Sequence, residues 1–203
     1  MDEIIWATPL YEFLRQCSLT SLDRTVLDCG AGSHGDRPPP LLLFYQQGYA
    51  TYGIEINDEP LLHAKKFCAD NGIPLNIFRG DMRRIPFADR TFSFVYSYNA
   101  IFFMTKTDVA VAMHEIKRVL RPKGLCFVNF LSVDDPDRRP FRKDNSASRL
   151  LGSRRFSRFR DGEADIYFRG FDILLKEKRI IEKLYEGRRL KQAYIDYIAR
   201  RRR

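Results

Sequence analysis

The sequence predicts an α/β fold with a doubly wound, mostly parallel seven-stranded sheet that ends in an antiparallel β-hairpin. Three observations predict it. Short apolar runs alternate with helical-period stretches over most of the first 130 residues. Two strand-like runs then flank Glu186-Gly187, as in a hairpin. Near the start, the apolar Val26-Leu27 passes through Asp28 into a loop carrying Gly30, Gly32 and Gly35. That is how a buried parallel strand ends where backbone must approach a ligand, because glycine has no Cβ and tolerates positive φ.

Taken in order, residues 8–19 read as a helix with Leu10, Phe13, Leu14 and Cys17 at helical spacing, followed by a strand at Thr25–Cys29. Pro38-Pro39-Pro40 forbids a helix through the loop but suits a first helical position, so the next helix starts near Pro40 and ends by Gly48. Ala50–Ile54 is the second strand, Asn57 caps a helix over 59–71, and Leu75–Arg79 and Phe92–Tyr96 are the third and fourth strands. A helix from Asp108 to Leu120 stacks Val109, Ala112, Met113, Ile116 and Val119-Leu120 on one stripe. Arg121-Pro122-Lys123-Gly124 breaks it before the fifth strand, Leu125–Phe130. Residues 132–164 are polar, basic and without period; Ile166–Leu175 reads as a short helix or turn, and Glu177–Leu184 and Leu190–Ile198 as the closing hairpin.

The 203 residues suffice for one domain with a full core, and 44% hydrophobic with 30% charged residues marks a globular chain. The longest apolar run, Leu41–Tyr45, is far short of the ~18 residues of a membrane span, and Met1–Trp6 lacks the features of a signal peptide. A cytoplasmic protein without membrane association is the expectation. Cys17, Cys29, Cys68 and Cys126 show no CxxC pairing and are expected as reduced core thiols; His34, His63 and His114 are scattered, so no metal is expected. Charge is uneven. Residues 1–137 carry 14 basic and 17 acidic residues, whereas 138–203 carry 21 and 9. Within 138–160 nine bases face one acid, Asp144, a stretch able to attract a polyanion or to form a solvated loop.

Gly30, Gly32 and Gly35 spell GxGxxG, a weak signal alone. The prolines delay the following helix beyond Gly35, and Asp28 would repel a diphosphate, so a dinucleotide is disfavoured. A carboxylate at Asp28 suits a cationic amino-acid ligand instead. Glu55, at the end of the second strand, can accept both hydroxyls of a ribose, and Asp81, after Gly80, the amino group of an adenine. Ile56 and Met82 could sandwich the base. Each acid has an ordinary alternative: Asp28 as a loop cap, Glu55 as a surface acid, Asp81 in a turn with Met82-Arg83. Their order at three successive strand ends argues for one ligand site.

This set resembles the class I S-adenosylmethionine-dependent methyltransferases, specifically the type 11 methyltransferase domain group, from Thr25 to Phe130. The resemblance rests on VLDCGAG, GIEIN, GDMRRIPFADRTFSFVYS and EIKRVLRPKG, with KRIIEKLYEGRRLKQAYIDYIA similar to the last two strands of that Rossmann-like fold. It implies S-adenosyl-L-methionine as cofactor: Gly30 and Gly32 beside the methionine moiety, Glu55 on the ribose, Asp81 and Met82 on the adenine. It also implies one domain over 1–203, with 1–22 as an N-terminal cap, 25–130 as cofactor core, 132–164 as a basic substrate-side insert and 177–199 as the hairpin. The chain departs from the pattern at His34, which takes the usual third-glycine position, at Ser93, where many relatives have Asp, and at Phe102-Phe103, where relatives often have a histidine.

Methyl transfer from a sulfonium needs alignment more than a dedicated base. Tyr98 and Asn99, after the fourth strand, and Tyr11, on the N-terminal helix, are the candidate catalytic residues; Tyr98 is also a cofactor contact, Tyr11 a cover for the cofactor, and His34 a weaker ligand contact. No Asn/Asp-Pro-Pro-Phe/Tyr sequence follows the fourth strand, which lowers a nucleobase target. A small-molecule acceptor is the leading expectation. The alternatives are an RNA or other polyanion engaging 138–160, where Phe141, Phe156 and Phe159 lie among arginines, and a non-catalytic nucleotide- or partner-binding protein.

Overall fold

Alternation along the strands decides which side chain enters which of two cores. A computed structural model describes residues 7–35, 37–136, 157–185 and 188–203. In β1 (Thr25–Cys29), Val26 and Leu27 point to opposite faces of the sheet and are both buried. Val26 joins Leu10, Phe13 and Cys17 of α1 (Thr8–Ser18) and Leu41, Leu43 and Phe44 of α2 (Leu41–Gln46). Leu27 joins the opposite core with Val109, Ala112, Met113 and Ile116 of α4 (Lys106–Val119). β4 (Phe92–Ser97), buried along its whole length, divides likewise: Phe94 and Tyr96 face α1 and α2, Val95 faces α4. Continuous burial on both faces is what a parallel sheet covered by helices requires.

β2 is Ala50–Glu55, α3 Asp58–Asp70 and β3 Asn76–Arg79; β5 runs Leu120–Ser132, β6 Arg158–Phe159, β7 Phe171–Tyr185 and β8 Arg188–Arg201. The sheet order is β3-β2-β1-β4-β5-β8-β7, with β6 pairing alongside β5 as an eighth strand that the sequence did not signal. β1 to β5 are parallel; β8 runs antiparallel to β5, and β7 antiparallel to β8. Connections from β1 lead to β2 on one side, and the chain crosses to β4 on the other. The carboxyl ends of β1 and β4 therefore form the topological switch point, where a crevice opens in such sheets. β7 is an outer strand of the sheet.

Most elements lie where expected, and the differences are informative. Glu55 belongs to β2 itself. Asn57 is the α3 N-cap, yet its side chain donates to Glu55 instead of capping the helix. α4 begins before Asp108 because Thr105 caps it, accepting from the Asp108 N–H at 3.1 Å while its hydroxyl donates to the Asp108 carboxylate. Arg121–Gly124 does not precede β5 but bulges within it, as the β4 register jumps from Phe92↔Leu120 to Phe94↔Leu125. Residues Ile166–Leu175 were expected as a short helix or turn; instead a 3-10 helix occupies Glu163–Phe168 and β7 already begins at Phe171. A register shift between Ile173 and Leu175 spoils the alternation that would have revealed this early start. The turn expected at Glu186-Gly187, and most of the basic stretch 138–160, lie outside the described residues. All four cysteines are buried and unbridged, and no described helix is long and apolar enough to cross a membrane.

Candidate functional site

A cavity of about 490 Å³ opens at the carboxyl ends of β1, β2, β3 and β4. Gly30, Gly32, Glu55, Ile56, Asp81, Met82, Tyr98 and Asn99 all line it. Their order along its wall follows the sheet, from Asp81 after β3 to Tyr98 after β4.

The glycine loop is pinned to its surroundings. The N–H groups of Gly30 and Ala31 both donate to the Ile54 carbonyl, that of Gly32 to Glu55 Oε2 at 3.3 Å, and that of Ser33 to the Pro60 carbonyl. Gly30 has φ +117°, and a Cβ there would lie 2.3 Å from the Ala100 Cβ. A Cβ on Gly32 would meet the Pro60 Cβ at 2.5 Å and Glu55 Oε2 at 2.8 Å. These two glycines are thus demanded by close approach. With the amides of residues 30 to 33 already engaged, this part of the loop offers no cradle of free N–H groups for a pyrophosphate. The following helix, α2, is capped only at Pro40.

Glu55 is buried, and its Oε1 accepts from the N–H of Asn57 at 2.8 Å and from Asn57 Nδ2 at 3.1 Å. It fastens the glycine loop to the start of α3. Asp81 takes part in the turn considered for it: its carboxylate accepts from the Arg83 N–H at 2.8 Å and from the Arg83 guanidinium at 2.6 Å. Arg83 leans also on Asp108 at 3.4 Å. Burial pushes the Asp81 carboxyl up, but the bonds and charge of Arg83 outweigh it and hold the group below its ordinary range.

Two expected positions fall elsewhere. Asp28 does not line the cavity; it is fully buried in the middle of the sheet, between Gly53 of β2 and Tyr96 of β4, with neither carboxylate oxygen bonded. Burial lifts its pKa to about 8, against the smaller downward pull of the nearby Tyr96 hydroxyl, which approaches it without reaching hydrogen-bond geometry. Tyr11 lies in a separate depression with Arg24, Gln47 and Tyr49, at the amino ends of β1 and β2. Burial of Leu10, Phe13 and Cys17 fixes how α1 faces the sheet, and it carries Tyr11 away from the cavity. The exposed His34 is on the cavity rim.

A family model described as a methyltransferase domain matches residues 27–128, half of the sequence. The chain belongs to the methyltransferase-domain family. Among curated relatives of this domain, an uncharacterized methyltransferase YodH from Bacillus subtilis is 29% identical over 113 residues, covering 54% of this chain and 44% of that protein. Sterol 24-C-methyltransferase of Pneumocystis carinii is 31% identical over 103 residues, covering 50% of this chain and 26% of that protein. The chain therefore spans less than half the length of these relatives. Among solved structures, an S-adenosylmethionine-dependent methyltransferase from Methanosarcina mazei superposes with a TM-score of 0.70 at 16% identity, over 98% of this chain and 99% of that one. The 1,6-didemethyltoxoflavin-N1-methyltransferase of Burkholderia thailandensis, solved with its substrate and S-adenosylhomocysteine, gives 0.68 at 16% identity, over 96% and 77%. At such identities the structures establish the fold.

The β4 end of the methyltransferase-domain cavity contains groups that no local spacing announced. Tyr98 stacks on Phe127 with ring centroids 6.1 Å apart. Asn99 has φ +53°, a left-handed conformation that asparagine tolerates better than most residues. Its N–H donates to Oδ1 of the fully buried Asn129 at 2.7 Å, and Asn129 Nδ2 donates back to Asn99 Oδ1 at 2.7 Å. Behind Tyr98, Arg179 of β7 donates through Nε to Asp196 of β8 at 2.7 Å, with side chains 16% and 2% exposed. Arg179 also lies over the Tyr194 ring, 5.1 Å from its centroid. Burial raises the Tyr98 pKa above its ordinary value, while Arg179 and Asn99 pull against it. Asn129, Arg179 and Asp196 escape a sequence reading because each belongs to a strand whose motif content is otherwise ordinary. A buried asparagine in the apolar run of β5 was the one available signal.

Proposed function

We propose that this chain is an S-adenosylmethionine-dependent methyltransferase with a small-molecule acceptor. One observation carries the reading: a single cavity gathers, in sheet order, an acid after β3, an acid ending β2, two glycines after β1 that leave no room for a Cβ, and a Tyr-Asn pair after β4. The order matches adenine, ribose, methionine and transferred methyl. Asp81 with Met82 and Ile56 holds the base, Glu55 the ribose hydroxyls, and Gly30 and Gly32 let the methionine moiety pass. To serve the adenine amino group, the Asp81 carboxylate must share oxygens now held by Arg83. S-adenosylmethionine, when bound, supplies a methyl group already activated by its positive sulfur. The chain's part is to align the acceptor and exclude water, which Tyr98, Asn99, Phe103 and Met104 are placed to do.

The small-molecule reading draws support from the cavity volume, within the range of ligand pockets, and from relatives whose names speak of a sterol and of a toxoflavin precursor. Calorimetric titration with S-adenosylmethionine, S-adenosylhomocysteine and NAD tests the cofactor. Micromolar binding of the sulfur nucleosides but not of NAD is expected; well-folded protein that binds neither sulfur nucleoside would refute the reading.

A further inference from the structure

If the cofactor lies as proposed, the methyl-bearing end points to the wall formed by Tyr98, Asn99, Ala100, Phe103 and Met104. The polarity of that wall is fixed by the backbone. The N–H of Asn99 can only donate, so the Asn129 atom 2.7 Å from it must be the amide oxygen. The other Asn129 atom is then the NH₂ group, and the Asn99 atom that it meets must be oxygen. Asn99 is left with Nδ2, a donor, as the polar atom not committed to Asn129. This is opposite to what an exocyclic amino acceptor requires, since such a group needs oxygens to receive its hydrogens.

Tyr98 adds to the same polarity. Desolvation keeps its phenol protonated at neutral pH. Its oxygen is influenced by donors on two sides, the Asn99 amide and the Arg179 guanidinium, so its own O–H hydrogen is the one to offer. Burial outweighs the pull of Arg179 at this hydroxyl, so the phenol stays a neutral donor. Among the described residues, this wall contains no carboxylate and no imidazole.

We propose that the acceptor is an oxyanion, a carboxylate or comparably acidic hydroxyl, received by the O–H of Tyr98 and the Nδ2 of Asn99, with Arg179 as the positioning residue behind Tyr98. The transfer then balances without a base. The ionised oxygen forms its bond to the methyl carbon as the carbon–sulfur bond breaks, the bonding pair stays on sulfur, and a cation and an anion become two neutral products.

The test is an NMR titration of the chain saturated with S-adenosylhomocysteine, using benzoate, benzamide and benzylamine as probes of similar size and different charge. Benzoate is expected to bind about tenfold or more tighter than benzamide, with benzylamine weakest. Tyr98→Phe should reduce the benzoate preference. Because Arg179 alone cannot be removed without stranding Asp196, the double variant Arg179→Gln/Asp196→Asn is used; it should abolish the preference while leaving S-adenosylhomocysteine affinity within about twofold, and Arg179→Lys should restore part of it. Absence of benzoate binding, equal or better binding of benzylamine, or a preference untouched by the double variant would overturn the proposal. Failure of S-adenosylhomocysteine itself to bind would register separately, and would remove the cofactor reading and this inference together.

Discussion

At one end of the cavity, Glu55 bonds Gly32 and Asn57, and Asp81 bonds Arg83, so each acid is held by residues of its own or the preceding βα unit. At the other end, Tyr98 depends on Asn129 through Asn99 and on Arg179 and Asp196 from the closing hairpin. The first end is set by local chain geometry and the second by tertiary packing. The proposed donor site can thus stay constant while the acceptor wall is altered by substitutions in β5, β7 and β8.

The largest effect expected from this contrast is at the glycine loop. Gly30→Ala should destabilise the fold by about 4 kcal/mol, because the added Cβ overlaps Ala100 at a backbone conformation unsuited to alanine. Gly35→Ala is the control: with φ +58° and nothing within 4 Å, it should cost only about 1–2 kcal/mol. Equal denaturation midpoints for the two would show that close approach does not govern the loop.

Next comes the acceptor end. Arg179→Ala leaves Asp196 buried without its partner, and about 3 kcal/mol of stability should be lost in urea melts. A loss below about 1 kcal/mol would mean that the pair is exchangeable with water.

Asp28 gives a pH signature that neither end shares. Its folded pKa of about 8 lies above the ordinary 3.8, so the folded state holds a proton that the unfolded state releases. Its contribution favours folding at low pH, falls as pH rises from about 4, and levels off above about 8. Asp28→Asn should therefore gain about 2 kcal/mol at pH 8 and flatten the stability profile over that window. A parallel profile in the variant would count against a neutral buried acid.

For ligand binding, Glu55→Ala should weaken S-adenosylmethionine by roughly 1–3 kcal/mol in calorimetry; unchanged affinity in a folded variant would refute the ribose assignment. The smallest effect is expected for Arg83→Ala. Its pair with Asp81 is about one-third exposed on both sides, so stability should move by less than about 1 kcal/mol.

The legibility of the chain follows the same division. β1 and β4 were readable because a covered parallel strand is apolar on both faces, and the glycines at 30 and 32 because the turn that they make is local. Glu55 and Asp81 were readable from their places just after apolar runs. Asp28 looked equivalent by sequence, yet its place one residue inside the strand end puts it between neighbouring strands and out of the cavity. Tyr11 shared a helix with core residues, and only packing tells which end of the sheet that helix delivers it to. Asn129 and Arg179 act through partners far along the chain, a relation with no period to detect. β7 hid its first six residues behind a register shift at Ile173.

Among the described residues, no strand pairs with the outer side of β7. Its apolar Ile173, Leu174 and Ile180 are each more than a third exposed, an arrangement that would template pairing with a second strand. Between them run four consecutive charged residues, Lys176-Glu177-Lys178-Arg179. Among the described residues, Lys176, Lys178 and Arg179 are tied into ion pairs with Asp161, Asp134 and Asp196. An incoming strand must therefore disturb those pairs, and high salt, which screens the exposed ones, loosens the same short run that supplies Arg179 to the proposed acceptor wall.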